Sequence, residues 1–91
     1  MTEKEQELLE NLFDSLDRLF DRHCRIYDVH DLMVATEIAL KSLGSTIELA
    51  KDINGLKPII RSERSEEDKR EQALTVTDSL RLRLNDILPE D

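Results

Sequence analysis

Two histidines and the single cysteine lie close together in the sequence, with an aspartate beside the second histidine: these residues are His23, Cys24, His30 and Asp31. Imidazole nitrogens and thiolate sulfurs are ligands that zinc prefers. The spacing matches no zinc motif, and the chain lacks the Glu-x-x-His pair of a carboxylate-bridged di-iron bundle. We therefore interpret the four residues as surface groups and a half-buried thiol at a helix end, and we expect no metal ion and no cofactor.

The same residues give little support for catalysis. Cys24 with His23 or His30 could form a thiolate–imidazole pair, but such a pair also needs an oxyanion hole and a substrate pocket. A small helical core with two glycines offers little of either. No Gly-rich phosphate loop and no Gly-x-Ser-x-Gly motif occurs. We expect that the protein is not an enzyme.

The sharpest pattern is electrostatic. Acidic residues recur at alternating steps of four and three, which places them on one side of a helix: Glu3, Glu7, Glu10, Asp14, Asp17 and Asp21. We call these six residues the acidic stripe; its length on a helix is about 27 Å. The opposite side of this helix is apolar and is expected to face the core: Leu9, Leu12, Phe13, Leu16, Leu19 and Phe20.

Like charges three and four residues apart destabilise a helix by a few tenths of a kcal/mol, roughly 0.2–0.5 per pair. One interpretation of the acidic stripe is therefore a docking surface for a basic protein. The other is a solvated outer face that keeps a small domain soluble. The candidate partner-binding residues are Glu7, Glu10, Asp14, Asp17 and Asp21.

Composition narrows the classes of partner. The net charge of −8 opposes binding to nucleic acid and to anionic lipid, so we expect neither a nucleic-acid nor a membrane partner. A single cysteine permits no internal disulfide and is compatible with a reducing cytosol. We find no signal peptide pattern and no apolar run of membrane-spanning length, and we expect a cytoplasmic protein.

Hydrophobic periodicity predicts an all-α fold, an antiparallel bundle of three main helices that forms one domain over residues 1–91. The helices are expected over about residues 3–24, 28–54 and 65–88, with a short connector at 55–63. The middle helix is apolar on more than one face, so the other segments must pack around it.

Capping signals support these helix starts. Thr2 followed by Glu5 has the form of a capping box. Asp28 has the character of an N-cap for the second helix, and Ser65 precedes an acidic first turn of the last one.

The stops are less uniform. Asn54-Gly55 supplies a residue suited to the left-handed conformation that ends many helices, and Pro89 is expected to end the last helix. A break at Gly44 would instead divide the second helix and give four helices. The apolar rows keep their phase across Gly44, so we favour one long helix.

Apolar residues in excess of the predicted core suggest self-association. Leu82, between Arg81 and Arg83, points away from the core face of the last helix. Val34 and Ile38 belong to a second apolar row on the second helix. These three residues are the candidate contacts of a homodimer.

Two functions follow from these features. The first is a small acidic module that masks a basic protein, as an inhibitor, antitoxin or immunity protein of a nuclease does, because a nuclease has a positively charged cleft. In size, acidity and helical layout the chain resembles small bacterial immunity proteins, without a shared motif. The alternative is a homodimeric structural or adaptor bundle with no inhibitory role, whose acidity serves only solubility.

Overall fold

The computed structural model describes residues 2–88, which fold into four α-helices. The helices are α1 (Glu3–Phe20), α2 (Ile26–Ser42), α3 (Ala50–Arg61) and α4 (Glu66–Ile87). The predicted all-α class is confirmed, and these residues contain no strand. The expected stop at Pro89 lies outside the described residues, and α4 ends at Ile87.

Side-chain hydrogen bonds begin α1 and α4 where the sequence predicts. The Glu5 N–H donates to the Thr2 hydroxyl at 3.2 Å, and the Thr2 N–H donates to the Glu5 carboxylate at 3.3 Å, which completes a capping box. The Asp68 N–H donates to the Ser65 hydroxyl at 3.2 Å. Each of these bonds satisfies a backbone group that has no partner within its own helix.

The end of α1 comes about four residues earlier than predicted. Arg22 has a φ of 66° and so lies in the left-handed region. The His23 N–H donates to the Arg18 carbonyl at 2.8 Å, and the Arg22 N–H donates to the Leu19 carbonyl at 3.2 Å. This is the Schellman arrangement, which ends a helix, here with arginine where glycine is usual.

The predicted second helix is two helices, so the four-helix alternative describes residues 2–88. The N-cap of α2 is Arg25 and not Asp28; Asp28 accepts a hydrogen bond from the Arg25 N–H at 3.0 Å. Gly44 has a φ of 73°, and the Ser45 N–H donates to the Leu40 carbonyl at 3.0 Å. The same Schellman arrangement therefore ends α2 at Gly44, the position of the alternative break.

The stop predicted at Asn54-Gly55, and with it most of the connector at 55–63, is wrong, because α3 continues through both residues. A Cβ added to Gly55 would lie 3.3 Å from a methyl carbon of Val76. Gly55 therefore allows close approach of α3 to α4 and does not cap a helix. Pro58 also lies inside α3. Because proline has no N–H, it donates no hydrogen bond to the carbonyl of Asn54, an exposed residue one turn earlier.

The helices surround one leucine-rich core. α1 packs against α2 and α4, and α3 packs against the same two helices. Each helix contributes fully buried side chains, among them Leu12 from α1, Met33 from α2, Leu56 from α3 and Leu80 from α4. None of the four helices within residues 2–88 has both the length and the apolar character required to cross a bilayer.

Polar contacts also join the helices. The carboxylate of Asp52, a residue that is 5% exposed, accepts two hydrogen bonds from Arg83 at 3.0 and 3.2 Å, which link α3 to α4. Arg70 donates to the Phe20 carbonyl at the end of α1, and Arg22 and Glu67 form an ion pair with a 2.7 Å separation. The first turns of α4 are thereby fixed against the end of α1.

Candidate functional site

The acidic stripe occupies the outer side of α1. Glu7, Glu10, Asp14 and Asp21 are exposed. The buried residues of α1 lie on the opposite side: Leu9, Leu12, Ser15, Leu16 and Leu19. Because five of the six stripe residues lie on one helix of 18 residues and Asp21 is the C-cap of that helix, a single partner surface can face several of the carboxylates together.

Asp17 differs from the other members of the stripe. Its carboxylate lies 2.7 Å from a guanidinium nitrogen of Arg81 on α4. The same guanidinium lies 5.4 Å from the centre of the Phe13 ring, within the range of a cation–π interaction. Asp17 thus has its charge compensated by an ion pair at the protein surface and ties α1 to α4, while its neighbours on the stripe point to solvent.

The rest of the stripe remains anionic. Within residues 2–88, no lysine or arginine forms an ion pair with Glu7, Asp14 or Asp21. Glu10 accepts a hydrogen bond from the neutral amide of Gln6 at 3.0 Å. The negative charge of this surface is therefore available to an external cation.

An open groove of about 530 Å³ runs beside the stripe between α1 and α4. Its lining combines aromatic, aliphatic and polar side chains: Phe13, Phe20, Asp78, Arg81, Leu82 and Asn85. We call it the α1/α4 groove. Asp17 lies on its α1 side, four residues after Phe13 and three before Phe20, so the stripe and the groove are adjacent.

Phe20 is the groove residue that the sequence misplaced. It was expected on the core face of α1, but 60% of it is exposed. Phe13 and Phe20 are seven residues apart and lie at the edge of the apolar face next to the stripe. A position at that edge is the one sequence signal that could have indicated exposure.

The three candidate self-association residues lie on two helices and differ in exposure. Leu82 is 69% exposed on α4, and Ile38 is 62% exposed on α2. Val34 is partly buried and packs against the core.

The four residues that could offer metal or thiol chemistry, His23, Cys24, His30 and Asp31, have separate surroundings. His23 and Asp31 are exposed, and His30 approaches Asp31 at 3.3 Å. Burial raises the pKa of the Cys24 thiol, whose sulfur lies 3.6 Å from the Ser15 carbonyl oxygen, so the reactive thiolate is disfavoured. Within residues 2–88, no group of three or more His, Cys, Asp and Glu side chains could hold a metal ion.

Comparison of the chain with models of protein families, with curated proteins and with solved structures found no match.

Proposed function

We propose that this chain is a small cytoplasmic protein that binds and masks a basic protein through the acidic stripe of α1. The partner we infer is a nuclease, and the chain acts as its inhibitor, antitoxin or immunity protein. The observation that carries the proposal is the set of exposed carboxylates at Glu7, Asp14 and Asp21, which have no ion-pair partner within residues 2–88. A positively charged nuclease cleft is complementary to such a surface.

Electrostatics predict which step of partner binding the acidic stripe affects. A single exposed ion pair contributes little, about 0.2–1 kcal/mol. Several carboxylates on one helix, in a protein of net charge −8, attract a basic partner over longer distances and orient it before contact. The main effect should be on the association rate, and it should weaken as salt screens the charges.

The test compares two triple variants with equal net charge. The stripe variant carries Glu7→Lys, Asp14→Lys and Asp21→Lys, and it leaves Asp17 in place because of its bond to Arg81. The control variant carries the same type of change at exposed acids away from α1: Asp31→Lys, Glu48→Lys and Glu63→Lys. Each acid-to-lysine change raises the net charge by two, so three changes bring the net charge of each variant from −8 to −2.

The basic protein retained by the immobilised native chain from its host cells is purified and titrated against all three forms. We expect the stripe variant to bind at least about tenfold more weakly at low salt, with a smaller difference at high salt, and the control variant to lose much less. The native chain should also suppress DNA cleavage by the purified partner. Equal loss in both variants, or a retained partner that is not basic, would contradict the proposal.

The second candidate function is a homodimeric structural module, which the exposed Leu82 favours. Sedimentation of the native chain separates the two. A stable dimer that dissociates on Leu82→Ser, together with no effect of the stripe variant, would favour the structural module.

A further inference from the structure

Five large apolar side chains are exposed within residues 2–88, and two of them share one concave surface. Phe20 of α1 and Leu82 of α4 both line the α1/α4 groove. Phe13 lines it as well and packs against the core on its other side. The remaining three exposed residues, Ile38, Leu43 and Ile87, lie outside this groove.

Among residues 2–88, Arg81 is the one basic residue that lines the groove, and it is already paired. Arg81 is held by Asp17 at 2.7 Å and lies over the Phe13 ring, so its charge is compensated and its position is fixed from two sides. The apolar walls at Phe20 and Leu82 therefore flank a neutral segment of the groove. Such a segment can receive an aliphatic side chain without leaving a buried charge unpaired.

The surroundings of the groove are acidic. Asp78 lines it on α4 and forms no ion pair within residues 2–88. Asp14 on α1 and Asp21 at the C-cap of α1 directly follow Phe13 and Phe20 in the sequence and are exposed. An occupant must therefore carry positive charge next to its apolar side chain. A second copy of this chain brings a net charge of −8 to the same place and lacks that complementarity.

We propose that the α1/α4 groove receives one large aliphatic side chain, from a basic segment of the partner, between Phe20 and Leu82. This inference rests on the proposed function, because the same partner supplies the positive charges that meet the acidic stripe. The stripe then determines encounter and orientation, and the groove retains the bound segment. A side chain that fills a well-packed, desolvated pocket contributes a large share of the binding energy of an interface, and an aliphatic anchor can occupy such a pocket.

The test uses two synthetic helical peptides as probes. Both are rich in lysine and alanine; one has a central leucine, and the other has alanine at that position. Binding is measured by fluorescence anisotropy to the native chain, to a groove variant (Phe20→Ser with Leu82→Ser), and to a control variant, Ile38→Ser. Ile38 is a matched control because it is a similarly exposed aliphatic residue on α2, outside the groove.

We expect the native chain and the control variant to prefer the leucine peptide by about tenfold, the effect of burying one large aliphatic side chain. The groove variant should bind both peptides equally, at the affinity that the native chain has for the alanine peptide. Amide resonances that shift only with the leucine peptide should lie around Phe20, Leu82 and Asn85.

Three outcomes would overturn the inference. If the native chain binds both peptides equally and salt weakens both, the groove is not an anchor site, although the proposed function stands. If neither peptide binds at low salt, the groove and the electrostatic proposal both fail. If the native chain sediments as a dimer and the groove variant as a monomer, the groove is occupied by a second copy.

Discussion

Reversing one charge in the acidic stripe should make the protein more stable. Glu10 lies in the middle of the stripe, three residues after Glu7 and four before Asp14, and all three are exposed. The only hydrogen bond of its side chain within residues 2–88 comes from the Gln6 amide at 3.0 Å. The change Glu10→Lys therefore alters the electrostatics of α1 without disturbing the core.

The magnitude follows from the neighbours of Glu10. Each like-charge pair at these spacings destabilises a helix by about 0.2–0.5 kcal/mol, and an opposite pair stabilises it by a similar amount. Glu10→Lys replaces two repulsive pairs by two attractive ones, a gain of about 1–2 kcal/mol before the loss of the Gln6 bond, which is worth about 0.5 kcal/mol. We expect a net increase in the free energy of unfolding of about 1 kcal/mol, or a Tm higher by about 4–8 °C.

Thermal denaturation followed by circular dichroism measures this change at low salt. In about 1 M NaCl the gain should largely disappear, because the screening length falls to about 3 Å. The control is Glu63→Lys, the same charge change at an exposed residue between α3 and α4. A lower Tm for Glu10→Lys, or an equal rise for Glu63→Lys, would refute the reasoning, since repulsion within the stripe would then not be the cause.

Two further predictions concern polar contacts that hold the fold. Replacing Arg83 by Met leaves the carboxylate of Asp52, a residue only 5% exposed, without its ion pair. Because Arg83 is itself partly exposed, we expect the free energy of unfolding, measured by urea denaturation, to fall by about 2–3 kcal/mol. A fall of less than about 0.5 kcal/mol would contradict this expectation. Hydrogen bonds from Ser45 and Thr2 lower the pKa of Glu5 from its ordinary value of 4.5, so their stabilising effect is present above that value and is lost as the pH falls through the folded-state pKa. Ser45→Ala should therefore lower the Tm at about pH 7 and have progressively less effect as the pH falls from 4.5 through the folded-state pKa of Glu5, whereas a constant difference would exclude this origin.

The starts of α1 and α4 were predictable because their determinants are local. The reciprocal hydrogen bonds of Thr2 and Glu5 join residues three apart, and Ser65 bonds an N–H equally close to it. Such contacts can be recognised from residue types and spacing alone. The collinear acids of α1 were predictable for the same reason, since one regular helix determines their placement.

Helix stops failed where tertiary contacts decide them. Arg22 adopts a left-handed conformation that no residue type signals, and its guanidinium is held by Glu67, 45 residues away. At Gly55 the sequence suggested a cap, but proximity of Val76 explains the glycine. The neutralisation of Asp17 by Arg81 is a contact of the same long-range kind, so the sequence could not separate this carboxylate from the rest of the stripe.

The contact between Asp17 and Arg81 also explains why the stripe and the groove can act together. The Asp17 carboxylate holds α4 beside α1, and it compensates the charge of Arg81, the one basic residue within residues 2–88 that lines the groove. Under the proposed function, the remaining carboxylates of the stripe would act at a distance and chiefly raise the association rate, whereas Phe20 and Leu82 would act only after contact and chiefly slow dissociation. A protein that must capture a harmful basic partner quickly and hold it for long requires both fast association and slow dissociation. An acidic face needed only for solubility does not require the exposed side chains of Phe20 and Leu82 beside it.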